Sequence, residues 1–168
     1  MPTNWAMSAA AVLPQWTAPE LPDVLDRLGP DWTRIDHVPF GATVDVEHVL
    51  LSSLGLAVVT TIDSVPETVL PLTEARWRAR KITALLGPVA WVPARPILVV
   101  PGLGDLGYGT RDGVFVAQAE DAVCWLSHPA WGGPLIPPEQ VGEMIDVIVR
   151  HIQRTDEITS QYRVRAVR

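Results

Sequence analysis

The chain has 168 residues, 48% of them hydrophobic, enough to bury one sizeable core and too few for two ordinary domains. Its formal charge of −6 and isoelectric point near 5.1 give no global attraction to phosphate, so any contact with nucleic acid has to rest on a local basic patch. A single cysteine, Cys124, excludes an internal disulfide and suits a reducing compartment.

Residues 1–19 are rich in Ala, Pro and Trp without a steady period and read as an irregular N-terminal arm. They lack a basic leader followed by a long apolar core, which speaks against an export signal. The domain itself is expected over residues 20–154. LPDVLDRLG, residues 21–29, predicts a short helix closed by Gly29 and Pro30, and DWTRIDHVPF predicts a strand ending at Pro39. Residues 43–51 and 55–62 are rich in Val and Leu, and SSLG between them carries turn chemistry, so the pair predicts a hairpin. Strand periodicity puts Asp45, Glu47, Val49 and Leu51 on one face of its first strand, and Leu56, Val58, Thr60 and Ile62 on one face of its second. Glu47, His48, Ser52 and Ser53 interrupt this apolar-rich stretch, which is short for a membrane span; a soluble, cytoplasmic protein with no membrane partner is the expectation.

Leu72, Ala75, Ala79, Ile82 and Leu86 make one apolar stripe over residues 72–86, and Gly87-Pro88 stops that helix. VAWV and ILVV predict strand pieces separated by PARP, GVFV predicts a further strand, and AEDAVCWL a short helix. A last amphipathic helix starts near Pro137-Pro138, with Val141, Met144, Ile145, Ile148 and Ile152 as its stripe. Val147 and Val149 widen the stripe, so it is expected to pack on the domain or on a second copy. Residues 155–168 read as a polar, frayed tail. The expected fold class is a single α/β domain with a mixed central sheet, including the hairpin, flanked by helices.

DHVPFGATVDVEHVLLSSLGLAVVTT, EARWRARKITALLG, ILVV and GVFV, in the order helix, strand, hairpin, helix, strand, strand, helix, resemble the nuclease-related domain (NERD) family over roughly residues 20–127. The resemblance implies the restriction-endonuclease-like fold. There, two carboxylates on neighbouring strands hold Mg²⁺, which polarises the phosphate and activates water, while a lysine steadies the water or the developing charge. Family members carry Asp-His on the first hairpin strand and a Gly-led second strand ending in Glu-x-Lys. Placed without gaps, Glu47-His48 falls on Asp-His, Gly55 on the glycine, Thr60 on the Glu and Ile62 on the Lys. Thr60 supplies a neutral hydroxyl and Ile62 nothing polar, so the resemblance implies a pseudo-nuclease. Its expected role is a non-catalytic scaffold that binds a protein or, less favoured, nucleic acid, with no cofactor. The alternative is a Mg²⁺-dependent DNA nuclease in which Asp45, Glu47 and Lys81, the one lysine of the chain, take displaced roles. Asp63, one residue past Ile62, would need a bulge to join them.

Other features bear on function. Glu74 opens the 72–86 helix, and Arg76, Arg78, Arg80 and Lys81 on it form a candidate phosphate contact, against the plainer reading of a solvated face with arginines over apolar neighbours. Gly102, Gly104 and Gly107 match a dinucleotide-binding spacing, yet the segment runs on into a strand instead of opening a helix, so a flexible glycine loop is expected and a small-molecule site there has least support. His37, His48, His128 and His151 show no tight ligand spacing; His48 is expected to point away from Glu47 as a packed or hydrogen-bonded residue. Apolar neighbours predict a buried Cys124. Most of the seven tryptophans are expected in the core, with Trp77 and Trp131 marking a contact surface.

Overall fold

The computed structural model describes residues 21–41, 44–63, 69–103, 107–128 and 135–165, with side chains as far as residue 158. The N-terminal arm, Gly104 and Trp131 lie outside these residues. Ten elements follow in chain order: α1 (Leu21–Leu25), β1 (Thr33–Phe40), β2 (Val44–Ser52), β3 (Gly55–Thr61), α2 (Leu72–Leu86), β4 (Arg95–Val99), β5 (Gly109–Arg111), β6 (Val114–Ala117), α3 (Ala119–Leu126) and α4 (Pro138–Arg165). The six strands form one mixed sheet in the order β1-β2-β3-β4-β6-β5. The first three are an antiparallel meander, α2 carries the chain across to β4 parallel to β3, and β6 joins β4 parallel. This is the single α/β domain with a mixed, helix-flanked sheet that the sequence predicts.

Helices α2 and α4 cover one face of the sheet, and α1 and α3 the other. Val49, Leu51, Leu56 and Val58 pack with Ala79, Ile82, Met144 and Ile148 on the first face, while Leu50, Ala57 and Val59 pack with Leu25, Ala122 and Leu126 on the second. A strand covered on both faces has no reason to alternate, which is why the middle of the hairpin reads as an unbroken apolar run. Leu98, Val114 and Val116 close the α2 face under Ala75. Ser52 Oγ accepts the amide of Leu54 at 3.0 Å and fixes the tight turn between β2 and β3.

Several local expectations are corrected or refined. VAWV is no strand: the amides of Val89 and Ala90 donate to Leu86 O, both at 2.9 Å, so they close the end of α2 and cannot enter a ladder. Trp91 is left 96% exposed and is no core residue. The segment after the glycine loop contains a strand, β5, joined to β6 by Asp112-Gly113, whose φ angles of 49° and 77° make the two-residue turn that an antiparallel pair prefers. Cys124 is exposed, because α3 turns Ala122 and Leu126 to the sheet. Residues 155–165 are not a frayed tail but the continuation of α4, which meets no Gly or Pro between residues 143 and 165.

Candidate functional site

Glu47 sits where the sheet loosens on both sides. The pairing of β1 with β2 runs through Asp36↔His48 and Val38↔Val46 but leaves out the intervening His37 and Glu47, and His37 takes a left-handed φ of 56°. On the other side, the pairing of β2 with β3 ends at His48↔Val59. Continued two residues, that register would set Thr61 against Val46; instead the amide of Thr61 donates to Glu47 Oε2 at 3.0 Å. The carboxylate therefore takes the donor that a ladder carbonyl would have taken. The Thr61 hydroxyl donates to the same oxygen.

The other carboxylate oxygen faces α2. Arg78 donates from one terminal nitrogen to Glu47 Oε1 at 3.0 Å and from the other to Glu74 Oε1 at 2.7 Å. Its side chain is 13% exposed, against 25% for Glu47 and 53% for Glu74. Arg78 stands three residues after Ala75 and four before Ile82, so helical spacing places it in the buried arc of α2. Desolvated between two carboxylates, it holds a fixed positive charge at the inner end of the hairpin.

Thr60 shares the parity of Leu56 and Val58 and so faces α2, the side on which Glu47 meets Arg78. Its hydroxyl is buried and has no hydrogen-bond partner among the described residues, as is the case for Arg78 Nε. Ile62 packs against Leu98 and Val116 as an apolar residue. The remaining predicted residues go elsewhere. Asp45 is half exposed, with Oδ2 3.8 Å from His37 Nδ1. Lys81 lies over the Trp77 ring at 5.0 Å. Arg76 donates to Asp112 O and Thr73 Oγ1, and Arg80 is exposed. The basic residues of α2 thus point inward, toward the β5–β6 turn and into solvent, and form no single patch. Asp63 is exposed beyond the strand.

Hydrogen bonds engage both oxygens of Glu47, and Thr60 and Ile62 offer a hydroxyl and a sec-butyl chain. A divalent cation, which prefers several anionic or carbonyl oxygens at about 2.0–2.1 Å for Mg²⁺, does not fit this donor set. Arg78 already supplies the charge there. Among the described residues no three His, Cys, Asp or Glu side chains are grouped to hold a metal ion.

His48 points to the opposite face from Glu47, buried, and its Nδ1 donates to Asp36 Oδ1 at 2.6 Å. Asp36 also binds Arg34, whose guanidinium reaches Asp26 and Pro22 O, so this chain of contacts ties α1 to the sheet. Gly102 and Gly107 have φ near +64° and +61°, and the loop leads into β5, not into a helix. The inward turn of Arg78 is the feature that residue types alone miss; its position in the apolar stripe is the signal that finds it.

Comparison with protein-family models, with curated proteins and with solved structures gives no match. Fold and site define a single-domain α/β protein whose hairpin carboxylate is tied to a helix arginine. Among the described residues no helix is long and apolar enough to cross a membrane.

Proposed function

We propose that this chain is a non-catalytic, nuclease-derived domain of the NERD type that serves as a binding scaffold, with a protein as its partner in preference to nucleic acid. The observation that carries this reading is Arg78. In the resembling family the inner end of the hairpin is a place for two carboxylates, a lysine and a divalent cation; here the hairpin offers one carboxylate, Glu47, and a guanidinium from α2, shared with Glu74, occupies it. Hydrolysis of a phosphodiester needs an activated water and stabilisation of the charge that develops on the phosphate; Thr60 and Ile62 supply neither, and both oxygens of Glu47 are held by Thr61 and Arg78. The element order, with an antiparallel meander, a crossover helix and a parallel strand, supports the nuclease-derived scaffold. The net charge of −6 and the divergent basic residues of α2 favour protein over a phosphate backbone.

The test is cleavage of plasmid and single-stranded DNA with Mg²⁺ or Mn²⁺, by the wild type and by Glu47→Gln, which keeps the contact to Thr61. No metal-dependent cleavage and no thermal stabilisation by millimolar Mg²⁺ are expected, since an ion that does not bind the native state cannot shift its stability. Cleavage by the wild type that disappears in Glu47→Gln would mean a rearranged nuclease using Glu47, and the proposal would fall.

A further inference from the structure

The outer groove between α2 and α4 holds a cleft of about 260 Å³ lined by Leu85, Val147, Arg150, His151 and Arg154. Among the described residues no acidic side chain lines it. Arg150 and Arg154 are four apart on α4, where like charges repel unless an anion lies between them. Arg150 spends Nε on the carbonyl of Asp146 at 3.2 Å, and its two terminal nitrogens have no partner among the described residues. His151 is held in place: its Nε2 donates to Pro39 O at 2.7 Å and its ring lies 4.9 Å from that of Phe40, so Nδ1 is the nitrogen left over. In a chain of net charge −6, two guanidinium groups gathered on one cleft are a local inversion of sign.

The geometry points to a binding site for one phosphoryl group, carried by a small phosphomonoester whose organic part rests on Leu85 and Val147. One planar fork satisfies the two oxygens of a carboxylate; a phosphoryl group has three free oxygens and takes a fork from each arginine. A nucleic-acid strand is the lesser fit. It needs a track of cations along successive phosphates, and the basic residues of α2 diverge from one another instead of extending the cleft. The site involves no residue of the hairpin and does not rest on the nuclease-derived reading.

The full chain is titrated with inorganic phosphate, phenyl phosphate and single-stranded DNA at matched ionic strength, by calorimetry and by thermal melting. Saturable binding of both phosphates is expected, tighter for phenyl phosphate, with at least a tenfold loss in Arg150→Gln and in Arg154→Gln and none in Arg80→Gln. Equal binding by wild type and the two α4 variants would overturn the proposal. So would a melting temperature that falls in these variants alike with and without phosphate, which would assign the arginines a purely structural role. Single-stranded DNA bound in preference to both phosphates would make the cleft part of a nucleic-acid track and would overturn it as well.

Discussion

Arg78 is worth most at the level of a single side chain because its charge is desolvated and its two acceptors are fixed. Arg78→Met keeps the stem and removes the charge, leaving Glu47 to the amide and hydroxyl of Thr61. Glu47 retains some access to water, so the loss should reach at most about 3 kcal/mol, the low end for a broken buried pair. Adding Glu47→Gln to Arg78→Met should recover most of it, since the carboxylate left behind is what costs stability. Urea midpoints of the four proteins test this; strictly additive losses would show that the two side chains do not act on each other. Thr60 offers the opposite case. It is 2% exposed and its hydroxyl has no partner among the described residues, so Thr60→Val should stabilise by about 1 kcal/mol. A lower melting temperature for that variant would reveal a partner for the hydroxyl.

Among the elements, the edge hairpin and the last helix should respond very differently to small changes. Gly113 has φ +77° and open space around an added Cβ, so Gly113→Ala costs only the conformational penalty of a left-handed residue, about 1 kcal/mol. Ile148 is fully buried where α4 packs on the sheet, and Ile148→Ala should cost about 3 kcal/mol through lost transfer energy and the cavity left behind. Chemical denaturation of the two variants checks the order, and a costlier Gly113→Ala would show that α4 is only loosely docked. The same contrast explains which elements were readable. The stripe of α2 stands out because Ala75, Ala79, Ile82 and Leu86 recur at helical spacing, and the helix spans the predicted residues 72–86. β5 has three residues and no stripe of its own, so its one signal is Asp112-Gly113, the pair that tolerates two positive φ angles.

Taken whole, the molecule has its apolar clusters on both faces of one sheet, and they share β3 and β4: Val58 belongs to the first, Val59 and Ile97 to the second, Leu98 to the third. Neither face can lose its packing while the central strands stay buried. Unfolding in urea should therefore be a single transition, with tryptophan fluorescence and far-ultraviolet circular dichroism superimposing. Separated transitions would mean that the α1 and α3 face opens independently.

By itself the sequence determined the fold class, the hairpin with its face assignments, and the α2 and α4 stripes, because periodicity and turn chemistry are local and strong. Turn chemistry also sets the register of β2 against β3, from Ser52↔Gly55 to His48↔Val59. The tertiary structure decided what the site residues do. Glu47 turns to Arg78 where the β1–β2 ladder skips it and the β2–β3 ladder has ended, and Arg78 turns inward because its place on α2 lies over the hairpin. Asp45, expected on the same strand face as Glu47, and Lys81, the one lysine, are drawn off by His37 and Trp77. The groove cations Arg150 and Arg154 come against Leu85 only when α4 docks beside α2. Periodicity acts within one element, whereas the partner of a charge is chosen by which elements pack together, and that choice is made by the whole chain.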